Sequence, residues 1–181
     1  MNGHRIEATE VAQRTVASWR CARALLAVAA LTASVGADAG TATGTFTVQA
    51  TIASACLVTA TTLNFGTYGP TSSTALTGAS TVSINCTSGS PYTAALNVGS
   101  GGGSFTGRTL LSGTDTLTYN LYRDAAYSQV WGDGSGSTYT VAGTGSGLLT
   151  ANTVTVYGQI PISQDKPVGA YSSLITVTIS Y

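Results

Sequence analysis

A two-residue alternation constrains this chain more than any other feature. Phe46, Val48, Ala50 and Ile52 alternate with Thr45, Thr47, Gln49 and Thr51. Val82 and Ile84 alternate with Thr81 and Ser83, and Leu117, Tyr119 and Leu121 with Thr116, Thr118 and Asn120. Val154 and Val156 alternate with Thr153 and Thr155. Ile175, Val177, Ile179 and Tyr181 alternate with Thr176, Thr178 and Ser180. Successive side chains of a strand point to opposite faces, so each run gives one apolar face and one hydroxyl face, the mark of a half-buried antiparallel strand. No stretch after Ala39 keeps a helical period for three turns.

Turn clusters separate these runs: Gly69-Pro70-Thr71-Ser72-Ser73, the glycine-rich stretch 99–104, Gly132-Asp133-Gly134-Ser135-Gly136, the stretch 143–147, and Lys166-Pro167-Val168-Gly169. Pro161 ends the run 154–160, because proline cannot donate to a sheet ladder. Short strands divided by such turns predict an all-β sandwich or barrel. No internal repeat or linker divides the chain.

Only 8% of the 181 residues are charged, against about 25% in an ordinary soluble domain. The formal net charge is zero, so no basic field exists to attract nucleic acid or anionic lipid. Threonine and serine fill outward positions where lysine and glutamate normally keep sheet edges from pairing with other chains. Such edges are suited to being joined.

The charges are also unevenly placed. Arg5, Arg14, Arg20 and Arg23 precede the apolar run 24–31, and Ala37-Asp38-Ala39 follows it. A basic region, a short apolar region and a small-residue exit are the parts of a secretory signal. The spacing predicts a leader over residues 1–39, cleaved near Ala39; the apolar run is too short to span a bilayer. The alternative is a membrane anchor. Removal of the leader takes His4 and Cys21 with it. It leaves Arg108, Arg123 and Lys166 against Asp115, Asp124, Asp133 and Asp165, a net charge of −1. The remaining cysteines, Cys56 and Cys86, read as one disulfide in an exported chain, with two buried thiols as the alternative. A bridge would contribute roughly 3–4 kcal/mol on a chain-entropy estimate.

Chemistry has little to work with. Without histidine the exported chain cannot form a Ser-His-Asp or Cys-His arrangement, and it lacks the usual zinc or copper ligands. The dispersed carboxylates mark no glycosidase pair. Gly132–Gly136 offers one carboxylate, too few for calcium. Gly101-Gly102-Gly103 opens no helix and so is no phosphate loop. Asn85-Cys86-Thr87 matches a glycosylation acceptor but falls within a predicted strand. The nine tyrosines either stack on sugars or pack with a polar tip. The expectation is a non-enzyme with no cofactor and no metal.

Several segments together resemble the spore coat protein U domain, which also builds subunits of archaic chaperone–usher pili of the Csu type. They are Cys56-Leu57-Val58 leading to Leu63-Asn64-Phe65-Gly66-Thr67-Tyr68; Val82-Ser83-Ile84-Asn85-Cys86-Thr87 with Tyr92-Thr93; Leu117-Thr118-Tyr119-Asn120-Leu121-Tyr122-Arg123-Asp124-Ala125 with Val130-Trp131-Gly132-Asp133-Gly134; and Val154-Thr155-Val156-Tyr157-Gly158-Gln159-Ile160-Pro161 with Pro167-Val168-Gly169-Ala170-Tyr171-Ser172 and the last strand. The stretch Arg108-Thr109-Leu110-Leu111 departs from the family pattern, and nothing is carried over there.

The resemblance implies an immunoglobulin-like antiparallel β-sandwich over residues 53–181 that lacks its final strand. A periplasmic chaperone lends a strand, and the N-terminal extension of the next subunit replaces it at an outer-membrane usher; neighbouring copies or related pilus subunits are the further partners. It also implies export through the periplasm to a surface fimbrium used in adhesion and biofilm. On this reading residues 40–52 are a donor extension with Phe46, Val48, Ala50 and Ile52 as its apolar face. Ile175, Val177, Ile179 and Tyr181 are the handle for the chaperone, and the chain stops on an uncovered edge. Residues 45–52 read alone also suit the first strand of their own domain. The rival functions are a spore or cell-surface coat protein assembling without an usher, and a secreted carbohydrate-binding module.

Overall fold

The computed structural model describes residues 39–181; the expected leader, residues 1–39, lies outside the described residues except for Ala39. The chain divides into two units, residues 1–48 and 49–181. In the first, the described residues 39–48 form neither strand nor helix. The second carries the nine strands found among the described residues: β1 (Cys56–Ala60), β2 (Leu76–Cys86), β3 (Pro91–Leu96), β4 (Gly103–Ser104), β5 (Gly107–Ser112), β6 (Asp115–Tyr122), β7 (Val141–Thr144), β8 (Asn152–Ile160) and β9 (Val177–Ser180).

All strand pairings are antiparallel. One sheet has six strands in the order β1-β2-β8-β6-β5-β4, and the other has three in the order β7-β3-β9. The alternation read from sequence sets the register. Val82, Ile84, Leu117, Tyr119, Leu121, Val156 and Ile160 turn inward from the larger sheet and meet Tyr92, Ala94 and Leu96 from the smaller one. Two sheets burying their apolar faces against each other make a sandwich. Each buried Val, Leu or Ile among them contributes roughly 1.5–3 kcal/mol. Trp131, fully buried, donates its indole Nε1–H to the Ala94 carbonyl at 3.1 Å.

Cys56 and Cys86 face each other across the β1–β2 ladder and form a disulfide, with Cα atoms 4.1 Å apart. The sulfurs tie an edge strand to its ladder neighbour.

Two expected strands differ from the structure. The run 45–52 forms no strand, so residues 45–52 are not the first strand of their own sheet; β1 starts at Cys56. The last strand covers Val177–Ser180 rather than the whole run from Ile175 to Tyr181. The reason lies in residues 174–176. Thr176 N–H donates to Asn97 Oδ1 and Leu174 N–H donates to Ser100 Oγ, so side chains stand in for part of the ladder there.

Candidate functional site: an open cleft between two sheet edges

The two sheets do not close along one side. β1 ends the larger sheet there and β9 ends the smaller one. Between them a slot of about 320 Å³ is bounded by Val58, Thr59, Ala60 and residues 174–177. It adjoins a cleft of about 930 Å³ whose floor is the sandwich core itself, including Val82, Leu96, Leu117, Tyr119, Val156 and Ile160. An ordinary sandwich core is packed to crystal-like density; here the core is reachable from outside.

The chemistry of both edges follows from hydrogen-bond alternation. Thr87 N–H donates to the Ala55 carbonyl and Thr61 N–H to the Thr81 carbonyl, so the odd-numbered residues of this strand aim their backbone groups at β2. The backbone groups of Cys56, Val58 and Ala60 therefore point into the slot. On the other wall, the Leu174 and Thr176 carbonyls accept from Ser100 and Asn97. Backbone groups of Ile175, Val177 and Ile179 accordingly point away from β3, those of Ile175 and Val177 into the slot. Their side chains are half-buried and packed on the core. Each wall thus offers backbone donors and acceptors with no ladder partner among the described residues, together with apolar side chains, the pattern that strand addition to a sheet edge uses.

The 61–68 segment roofs one end. Leu63 and Phe65 lie over the paired glycines Gly78 and Gly158. A Cβ built on Gly158 would meet the Phe65 ring at 2.7 Å and Leu63 at 2.8 Å. The Phe65 ring meets Tyr119 edge-on at 6.2 Å. Tyr68 Oη donates to the Pro161 carbonyl at 3.0 Å and accepts from Gln164 N–H at 3.0 Å. Gln164 in turn pairs its side-chain amide with both the N–H and carbonyl of Thr118, imitating a strand residue. Burial raises the Tyr119 pKa, against a hydrogen bond with Ser173 and the charge of Arg108.

The expected site residues divide into two groups. Ile175 and Val177 line the cleft, and Ile179, on the same strand, packs against the core; Tyr181, just past β9, is 58% exposed. Phe46, Val48 and Ile52 are 87, 82 and 85% exposed, and Ala50 is also exposed. The structure therefore gathers the last strand and β1 around the cleft and leaves the alternating N-terminal segment free of burial.

Sequence reasoning missed Arg108, which is fully buried. Its Nε–H donates to the Asn97 carbonyl (3.0 Å), Nη1 to Asn120 Oδ1 (2.6 Å) and Nη2 to the Trp131 carbonyl (2.6 Å). Its guanidinium also lies over the Phe105 ring at 5.2 Å. None of these partners is a carboxylate, and burial lowers the guanidinium pKa, with Tyr119, Asp133 and Tyr122 opposing. The group still carries its charge at any ordinary pH. The available signal was a lone cation at an inward position of an alternating strand, in register with Tyr119.

The other candidates take structural roles. Asp133 accepts from Ser135 N–H at 2.8 Å in its own turn. Asn85 Nδ2 donates to the Leu148 carbonyl at 3.1 Å. Among the tyrosines, Tyr92 and Tyr119 are buried in the core, while Tyr127 meets Tyr122 and Tyr157 edge-on at 5.5 and 6.3 Å. Such edge-to-face rings satisfy one another and present no shared flat face. Among the described residues no group of three His, Cys, Asp or Glu is placed to hold a metal ion.

Two antiparallel sheets with an open cleft between their edges define an all-β sandwich. Residues 42–178 match the Spore Coat Protein U domain, and the chain belongs to that family. It is 33% identical over 176 residues to Protein U of Myxococcus xanthus, covering 87% of this chain and 95% of that protein. Its fold is similar to a chain in the crystal structure of the CsuC–CsuE chaperone–tip adhesion subunit pre-assembly complex from archaic chaperone–usher Csu pili of Acinetobacter baumannii. The TM-score is 0.52 at 21% identity, covering 72% of this chain; the chain spans 40% of that chain's length.

Proposed function

We propose that this protein is an exported structural subunit, without catalytic activity, that polymerises by donor-strand exchange into a surface fibre serving attachment and biofilm formation. The observation that carries the reading is the pair of facing free edges. Val58 on one wall and Ile175 and Val177 on the other border one slot with backbone groups that have no ladder partner among the described residues, and Ile175 and Val177 also pack on the core. A periplasmic chaperone would fill the slot first, using residues 175–181 as its handle, and an outer-membrane usher would exchange that strand for residues 40–52 of the next subunit. Residues 1–39 would be the export leader. Burial of Phe46, Val48 and Ile52 contributes roughly 1.5–3 kcal/mol each, which by itself does not cover the ordering of the segment at about 1–2 kcal/mol per residue. Backbone hydrogen bonds along both edges supply the rest.

A second reading is favoured by the near full-length similarity to Protein U: a coat protein of a spore or cell surface, joined by the same strand addition without an usher. Dependence of surface display on a chaperone and usher separates the two.

The test compares assembly of residues 40–181 with a form beginning at Ala53. Detergent- and heat-resistant multimers are expected only when residues 40–52 are present. A stable monomer with a closed sandwich from the shorter form would overturn the proposal.

A further inference from the structure

Leu57 points to the outer face of β1 and is 65% exposed. Its ladder partner is Asn85, whose side chain holds the Leu148 carbonyl at 3.1 Å. Leu148 and Leu149 are 44 and 101% exposed, and their loop is fastened to the same end of the sandwich by Gly147 N–H donating to the Cys86 carbonyl. Three leucines thus stand in solvent around one pole. That pole is also where the N-terminal segment joins the domain, through the Ala55–Thr87 hydrogen bonds.

Only five residue steps separate Ile52 from Leu57, a reach of at most about 17 Å for extended chain. If Ile52 is seated in a neighbour's cleft, the leucine pole must abut that neighbour, since a domain of this size has a radius of gyration of about 14 Å. We infer that Leu57, Leu148 and Leu149 form a subunit-to-subunit contact that packs against the cleft rim of the next copy of this chain and stiffens the fibre. The rim supplies apolar partners: Leu174, 75% exposed on the slot wall, and Val168, 104% exposed in the loop beside the cleft. The contact is heterologous, one pole against a different surface of the next copy, and so propagates head to tail. It rests on the donor-strand reading but is separable from it, because a tethered donor polymerises whether or not the poles adhere.

The experiment uses the full chain displayed by its native host. The double variant Leu148→Ser/Leu149→Ser is compared with the natural sequence, and a photo-crosslinking residue is placed at position 149. The variant is expected to keep its detergent-resistant ladder while its fibres lose at least threefold in persistence length by electron microscopy. The crosslinker is expected to join two copies, with the second attachment near Leu174 or Val168. An unchanged persistence length, or a crosslink to the chaperone or another protein in place of a second copy, would overturn the inference while leaving donor exchange standing. Absence of a resistant ladder from the natural sequence would overturn both.

Discussion

Val58 and Ile84 are ladder partners on the same face of the larger sheet, yet Ile84 is fully buried and Val58 is 38% exposed. Cross-strand partners share a face, so the difference comes from what covers them. The smaller sheet lies over Ile84, while Val58 borders the slot. Replacement of Val58 by Asp should therefore leave the unassembled subunit within about 1 kcal/mol of wild type, as at other exposed positions. Filling the slot would strip water from the new carboxylate at a cost of several kcal/mol. The expected result is an unchanged denaturation midpoint with loss of resistant multimers. Wild-type multimer yield would show that the incoming strand does not lie beside Val58.

The donor side gives the complementary expectation. Val48 is 82% exposed, so Val48→Asp should not affect folding. It should block growth of the polymer by placing a charge in the neighbour's core, while chaperone capture through residues 175–181 continues. Co-purification with the chaperone measures the second point, and its loss would argue for a folding defect instead.

Much of this was legible in the sequence, for a definite reason. In strands such as β6 and β8 both neighbours are present, and a two-residue period decides which side chains are buried, so Leu117, Tyr119, Leu121, Val156 and Ile160 fall on the core as expected. The cysteine pair was legible by counting. The run at 45–52 shows the limit of periodicity: it specifies a strand only when a partner is present, and among the described residues none pairs with it. Arg108 was illegible because its acceptors, Asn97, Asn120 and Trp131, are two carbonyls and an amide brought together by three separate elements. Nothing in local pattern announces a buried cation held by neutral oxygens.

That arrangement predicts a large effect. Arg108→Met removes three donors; Asn120 Oδ1 keeps the Leu121 N–H, but the Trp131 and Asn97 carbonyls lose their guanidinium partner, at about 1–3 kcal/mol for each one left unsatisfied. The unfolding free energy is expected to fall by about 2 kcal/mol or more. Arg108→Lys should recover only part of the loss, because one ammonium cannot copy a planar fork that reaches three oxygens. Urea denaturation of both variants provides the measurement. A Met variant as stable as wild type would remove the network from any structural role.

Alkaline pH should destabilise the subunit through Tyr119. Burial raises its folded pKa above the ordinary 10.0. The folded state then holds the proton longer than the unfolded chain does, so stability declines as pH rises from about 10 through the folded value. Tyr119→Phe should flatten that decline in a thermal-melt series from pH 8 to 11. It should also cost some stability at neutral pH, because the Ser173 partner is lost.

The cleft roof can be tested without touching either wall. Gly158 sits where Phe65 and Leu63 press against the sheet, and a Cβ there would meet their side chains at 2.7 and 2.8 Å. Neither ring nor branched side chain can retreat without leaving the core, because Phe65 also packs edge-on against Tyr119. Gly158→Ala should therefore cost about 1–3 kcal/mol, the usual penalty for overpacking a filled interior. It should also slow multimer formation, since a displaced Phe65 intrudes on the cleft. Gly69→Ala serves as the control: its Cβ would have no neighbour nearer than 4.0 Å, and a change within about 0.5 kcal/mol is expected. Equal stabilities for the two variants would mean that the 61–68 segment lifts freely from the sheet. In that case the roof would move aside during strand capture, and Gly158 would not govern the width of the cleft.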